Sequence, residues 1–245
     1  YWWHLPEWAK GSADDYAASY IHYCKIVEEV TGRAPEIVGV QNEYRMPNWP
    51  EQAPALRKHL DAAGYHSTKI HMNDDSKFTS EAIQWLKDYI AEPEAYAAID
   101  YTATHQYDFR DFHTNPDGFD PIMQEWRDLS DKPFLSTELC VNGKDWQVKS
   151  YRIAFIMAQQ YHKTLTITDA VAICYCWLLL DVEQPTYNWT RSLMGVDKEN
   201  GFLAVPTSHQ LRTYGAYSRR IPTGMTRIEV ASGHPDLLVS AFEDG

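Results

Sequence analysis

The chain has 245 residues, of which 44% are hydrophobic and 23% are charged, so it can bury a full core. Its formal net charge of −12 is the opposite of the basic footprint of a nucleic-acid-binding protein, and it is compatible with a neutral partner. No apolar run approaches the length of a membrane span. Neither nucleic acid nor a membrane span is therefore expected.

Helical and strand patterns alternate along the chain. An aromatic stretch at 1–8 is typical of a strand end followed by a loop. Apolar spacing and capping signals predict helices at 12–32, 53–63, 80–91, 120–129, 146–161 and 206–220. Short apolar runs predict strands at 36–43, 68–72, 97–104, 132–138 and 170–177, and a long loop is predicted after the last of them.

This alternation predicts a parallel sheet covered on both faces by helices. An open doubly wound sheet and a closed barrel both satisfy the pattern. No predicted strand is followed by a glycine-rich nucleotide-binding loop, which removes the usual support for the open sheet. Every predicted strand ends in a polar or aromatic cluster, which favours a (β/α) barrel whose site gathers residues from many strand ends.

Two of the predicted strands end in a glutamate. Glu43 follows the apolar run 37–40, and Glu138 follows the run 134–135. Two strand-end carboxylates are what glycoside hydrolysis by a carboxyl pair requires, although each glutamate could be an ordinary solvated loop residue. Nine Trp and sixteen Tyr are compatible with a sugar-binding cleft, but large aromatic side chains also fill cores.

Neither cysteine nor histidine shows metal-ligand spacing. The four cysteines are interpreted as reduced core residues: Cys24, Cys140, Cys174 and Cys176. A metal-dependent hydrolase using His4, His71 and His105 is an alternative that no His-x-His pattern supports, so no metal and no cofactor is expected. Asp74 and Asp75 follow the second predicted strand and could either bind a sugar hydroxyl or cap the next helix; capping is the favoured interpretation.

The two ends of the sequence differ in character. The chain begins with Tyr1 and shows no signal peptide. Segments 225–230 and 237–242 alternate like antiparallel strands after the last predicted helix. The triplet Asn188-Trp189-Thr190 is a glycosylation sequon, a pattern that often arises by chance.

The ordered set of motifs resembles the catalytic barrel of glycoside hydrolase family 30. Segment 5–10 is similar to the stretch after the third barrel strand of that family. The ends of the fourth, sixth, seventh and eighth strands are matched in order by Gln41-Asn42-Glu43, His105-Gln106-Tyr107, Ser136-Thr137-Glu138 and Trp177. Segment 206–227 resembles the last barrel helix and its exit. Tyr44 departs from the family, where many members have proline after the acid/base.

The resemblance implies a partial (β/α)8 TIM barrel, from the end of strand 3 through helix 8, at residues 1–222. The start of a β-sandwich domain would follow at 223–245. The first two barrel strands would precede Tyr1 and the sandwich would continue past Gly245. Because such a piece leaves strand edges and apolar faces open, it is expected to be a fragment that does not fold stably alone.

The implied activity is that of a retaining β-glycosidase. Its substrate would be a β-linked poly- or oligosaccharide or glycoconjugate, as for xylanases, β-1,6-glucanases, galactanases and glucosylceramidase-like enzymes. Glu43 would be the acid/base and Glu138 the nucleophile, and the substrate-binding residues would be Asn42, Trp8, His105, Tyr107 and Trp177. A carbohydrate partner and a secreted or extracellular location are expected. The alternatives are a galactocerebrosidase-like enzyme of the same clan and a non-catalytic carbohydrate-binding barrel.

Overall fold

The computed structural model describes residues 7–107, 115–140, 151–183, 192–206, 208–234 and 236–244. The described residues belong to two compact units. The first unit comprises Tyr1–His105 and Glu125–Thr137, and the second comprises Gln106–Gln124 and Glu138–Gly245. The predicted strand end at 1–6 and the sequon at 188–190 lie outside the described residues, as does the predicted helix start at 146–150.

The first unit contains several helices, and the first α-helix has a capping residue at each end. They are α1 (Ala13–Thr31), α2 (Trp49–Ala62), α3 (Ser80–Ala91), α4 (Pro93–Ala98) and the second half of α5 (Asp120–Leu129), with a 3-10 helix at Glu7–Lys10. The Ser12 hydroxyl caps α1 by accepting the Asp15 N–H at 3.1 Å. Gly32 ends α1 with a φ of 74°, a left-handed conformation that favours glycine.

Strands of the first unit run parallel in chain order. They are β1 (Ile37–Gly39), β2 (Lys69–His71), β3 (Thr102–Thr104) and the first part of β4 (Phe134–Leu139). Val38 pairs with Ile70, and Ala103 pairs with Leu135. A bridge from His71 to Tyr101 joins β2 to the start of β3. The predicted alternation of helices with parallel strands is confirmed here, and the carboxyl ends of these strands share one edge.

Packing in the first unit fixes how closely two neighbouring strands approach. Gly39 of β1 lies against the imidazole of His71 on β2, and an added Cβ would lie 2.3 Å from the ring. Beneath the sheet, the rings of Phe78, Trp126 and Phe134 form a buried cluster with centroids 5.3 to 5.6 Å apart. Glycine at position 39 is therefore set by the approach of the histidine ring rather than by backbone conformation.

The described part of the second unit contains the first half of α5, two further helices and several short strands. They are α6 (Tyr151–Ile167), α7 (Ser208–Ser218), β5 (Ala172–Tyr175), β6 (Leu179–Asp181), β7 (Met194–Asp197), β8 (Leu203–Pro206), β9 (Thr226–Ile228) and β10 (Ala241–Glu243), with a 3-10 helix at Pro116–Phe119. Its core joins Leu139 of β4 to Ile153, Met157 and Tyr161 of α6. Strands β9 and β10 pair antiparallel, as their alternation predicts, while the β-sandwich stays a prediction.

Two predictions in the second unit were wrong. The stretch predicted as a loop after position 177 contains β6, β7 and β8, with β6 parallel and β8 antiparallel to β7. The apolar runs there have only three or four residues each, too short to show a period. Cys174 is exposed rather than in the core, because Ile173 and Tyr175 on the other face of β5 pack on the core. Cys24 and Cys140 are buried and Cys176 is partly buried, and no disulfide joins these four residues.

Candidate active site

Glu43 follows β1 at the strand edge of the first unit. Its φ is 52°, so the backbone turns through the left-handed region just where the side chain leaves the sheet. The Glu43 N–H donates to the carbonyl of Asp74 at 2.9 Å, and Asn42 forms a parallel bridge with Asp74. The Glu43 side chain is 31% exposed, so its carboxylate can reach a solute.

A chain of side chains connects Glu43 to a buried aspartate. His105 Nδ1 lies 3.1 Å from Glu43 Oε1, and His105 Nε2 lies 3.3 Å from Asp74 Oδ2. The His105 side chain is fully buried, and its backbone N–H donates to the Asp75 carbonyl. The Thr137 hydroxyl donates to Asp74 Oδ2 at 2.8 Å. The imidazole is thus fixed between an exposed and a buried carboxylate.

The ionisation state of Asp74 determines which ring nitrogen of His105 carries a proton and how the ring can exchange a proton with Glu43. Burial alone would raise the pKa of Asp74, but the hydrogen bonds from His105 and Thr137 and the charges of His71 and His105 hold that pKa below its usual 3.8. With Asp74 ionised, its carboxylate 3.3 Å away favours a proton on His105 Nε2. Nδ1 of a neutral ring can then accept the proton of a protonated Glu43 carboxyl, and a protonated ring can donate to ionised Glu43.

In the second unit, Tyr107 and Glu138 form a direct pair. The Tyr107 hydroxyl donates to Glu138 Oε2, and the Gln106 N–H donates to the Glu138 carbonyl at 2.9 Å. Burial, followed by hydrogen bonds with Cys176 and Glu138, raises the pKa of the Tyr107 phenol above its ordinary range. The phenol therefore stays a proton donor toward the Glu138 carboxyl group.

The other predicted substrate-binding residues lie at the ends of short elements. Trp8 lies on the 3-10 helix of the first unit with 57% of its surface exposed, and Asn42 is also exposed. Trp177 follows β5 in the second unit, where its carbonyl accepts the Leu193 N–H at 3.0 Å. Trp177 is partly buried, so an indole face could still contact a ligand.

Asp74 was misread from sequence as a helix cap. Thr79 caps α3 instead, since its side chain accepts the Glu81 N–H. Asp74 is 3% exposed and contacts His105 and Thr137. The available signal was its position, because Asp74 follows β2 just as Glu43 follows β1. Of the three histidines in the metal alternative, His4 lies outside the described residues.

Comparisons with known proteins agree on the fold. No family model and no curated protein matches the sequence. The catalytic domain of GH30 xylanase C from Talaromyces cellulolyticus matches over 95% of this chain and 52% of its own, with a TM-score of 0.70 and 19% identity. SrfJ from Salmonella typhimurium matches over 95% and 53%, with a TM-score of 0.77 and 19% identity. A conserved exported protein from Bacteroides fragilis matches over 95% and 57%, with a TM-score of 0.70 and 16% identity.

These similarities show a glycosidase-like α/β fold, and the chain spans about half the length of the structures it matches. Among the described residues, no helix combines the length and the apolar character that crossing a membrane requires.

Proposed function

We propose that this chain carries the catalytic residues of a retaining β-glycosidase built on part of a (β/α)8 barrel. The observation that carries the proposal is that each strand-end glutamate has, within its own unit, the hydrogen-bond partner that its role needs. Glu43 contacts an imidazole that can exchange a proton with it, as a general acid/base requires. Glu138 accepts a hydrogen bond from a phenol, as an ionised nucleophile requires.

In the proposed first step, a carboxylate oxygen of Glu138 attacks the anomeric carbon. The bond to the leaving oxygen breaks, and Glu43 gives its proton to that oxygen. In the second step, Glu43 takes a proton from water, the water oxygen attacks the anomeric carbon, and Glu138 leaves as a carboxylate. Both steps require the two carboxyl groups about 5 Å apart.

His105 and Asp74 would hold the Glu43 carboxyl group in place through both steps. The imidazole contacts the same Glu43 carboxyl that must lose a proton in one step and gain one in the next. Tyr107 would stabilise the carboxylate of Glu138 before attack. By the family resemblance, Asn42 would hydrogen-bond the 2-hydroxyl of the sugar, with Trp8 and Trp177 as walls of the cleft.

The wider assignment belongs to the same proposal. The family 30 resemblance gives a catalytic barrel at 1–222 and the start of a β-sandwich at 223–245, and β9 and β10 are compatible with the latter. A β-linked polysaccharide or glycoconjugate would be the substrate. An extracellular location is supported by the match to a protein described as exported.

The test is chemical rescue of the nucleophile. In Glu138→Gly of the full-length protein, we expect turnover of an activated aryl β-glycoside to fall to nearly nothing and azide to restore it, with the α-glycosyl azide as product. A panel of aryl glycosides with xylan, β-1,6-glucan and galactan would identify the sugar. A variant with near-normal activity would overturn the assignment, and wild-type protein that binds these glycans without hydrolysing them would indicate the carbohydrate-binding alternative.

A further inference from the structure

The segment that carries Glu43, residues 41–46, is here called the acid/base loop. Glu43 has a positive φ of 52°, a backbone conformation that a residue with a Cβ rarely adopts unless its surroundings hold it there. The carboxyl group of a general acid must be held close to its working position. Something in the first unit must therefore fix the loop on both sides of Glu43.

Asn73 contacts the acid/base loop both before and after Glu43. It follows β2 and is fully buried. Its Nδ2 donates to the Tyr44 carbonyl at 3.0 Å and lies 3.4 Å from Gln41 Oε1. Gln41 Oε1 also accepts the Met46 N–H at 3.0 Å. One amide group thus connects the first residue of the loop with the residue directly after Glu43.

The donors and acceptors fix the orientation of that amide. A backbone carbonyl can only accept, so the amide nitrogen of Asn73 must face Tyr44. The amide oxygen then faces Tyr89, whose hydroxyl lies 2.5 Å away and donates. Burial raises the pKa of Tyr89, which keeps this hydroxyl protonated. Tyr89 belongs to α3, and its ring packs on Trp49 at the start of α2. The loop is therefore connected to two helices through one side chain.

We propose that Asn73 is the positioning residue of the general acid/base, acting through the acid/base loop rather than by contact with the substrate. The expected effect on kinetics rests on the proposed function. The expected effect on the loop rests on the hydrogen bonds of Asn73 alone. Without Asn73, the Tyr44 carbonyl and the Tyr89 hydroxyl each lose a buried partner. Glu43 would then sample positions from which it cannot protonate the leaving oxygen.

The kinetic test compares leaving groups. In Asn73→Leu, we expect kcat/KM for a phenyl β-glycoside to fall about tenfold to a hundredfold, as for a displaced catalytic group. The dinitrophenyl glycoside of the same sugar needs little protonation, so its loss should be much smaller. The matched control is Thr102→Val, which removes another buried hydrogen bond of the first unit, from Trp126 Nε1, and should affect both substrates equally.

A second measurement does not depend on activity. The Glu43 N–H donates to Asp74 and the Met46 N–H donates to Gln41, so both amides report on the loop. We expect amide hydrogen exchange at both positions to accelerate in Asn73→Leu and to stay unchanged in Thr102→Val. Should Asn73→Leu fail to fold, Tyr89→Phe removes only the donor to Asn73 and should show the same pattern with smaller changes.

The outcomes separate the two proposals. Faster exchange together with a selective loss on the phenyl glycoside supports the role of Asn73. Equal losses on both glycosides, or unchanged exchange at Glu43 and Met46, overturn it. A wild-type protein inactive on every glycoside counts against the proposed function, and the exchange result then decides alone whether Asn73 fixes the loop.

Discussion

At the residue scale, the two strand-end glutamates differ in their hydrogen-bond partners. Glu43 contacts the imidazole of His105, which can both give and take a proton. Glu138 contacts the phenol of Tyr107, which only donates. Two glutamate side chains thus have different hydrogen-bond partners. In enzymes with paired carboxyl groups, such differences in environment separate the acid/base from the nucleophile.

Replacement of Glu43 tests the acid role directly. In Glu43→Ala, we expect substrates with poor leaving groups to lose about 10²-fold to 10⁴-fold in turnover, the usual contribution of a general acid. The first step on dinitrophenyl glycosides should be spared, and the basic limb of the pH–rate profile should disappear. Burst kinetics on both substrate types provide the measurement. Equal losses on both types would remove Glu43 from this role.

Asp74 predicts a pH-dependent contribution to stability. Its pKa in the folded state is held below the usual 3.8 although burial opposes this, because His105 and Thr137 bond the charged form. A depressed pKa stabilises the folded state above pH 3.8, and the contribution is lost as pH falls through the folded-state pKa. The difference in unfolding free energy between wild type and Asp74→Asn should therefore be largest near pH 7 and should decrease below pH 3.8. Urea unfolding across this range checks it, and a gap that widens in acid would contradict it.

At the element scale, the spacing of β1 and β2 depends on glycine. In Gly39→Ala, the new Cβ would meet the His71 ring at 2.3 Å, so the imidazole or the strand must move. We expect a loss of about 1 to 3 kcal/mol in unfolding free energy, the usual cost of overpacking. Gly215→Ala in α7 is the control, because nothing lies within 4 Å of its added Cβ and alanine favours a helix. Urea denaturation of both variants measures the contrast.

At the scale of the whole molecule, many large apolar side chains are exposed. Examples from both units are Val30 at 79%, Tyr151 at 78% and Phe155 at 59%. Exposed apolar surface promotes association and binds hydrophobic dyes. We expect the 245-residue protein to enhance the fluorescence of such a dye, and Phe155→Lys to lower both this signal and light scattering. Replacement of the buried Met157 by Leu, a volume-conserving change, is the control that should leave the dye signal unchanged.

The sequence alone predicted the alternation of helices with parallel strands in the first unit, but it missed α4 (Pro93–Ala98), whose last two residues lie in the strand predicted at 97–104. The apolar runs 37–40 and 134–135 are short, but each ends in a polar cluster and lies between predicted helices, and parallel strands point their last residues to one edge. Glu43 and Glu138 could therefore be selected without coordinates. The antiparallel pairing of β9 with β10 followed from alternation in the same way.

Tertiary structure alone decided which side chains support those glutamates. Asp74 looks like a helix cap in the sequence, and Asn73 is marked there only by its position after β2, yet both are buried beside the acid/base loop. Their roles depend on hydrogen bonds to residues 29 and 63 positions away along the chain, and the local sequence pattern does not report such distant contacts. The exposure of Cys174 could not be predicted from the sequence either. A continuous apolar strand has the same sequence pattern whether one or both of its faces are covered.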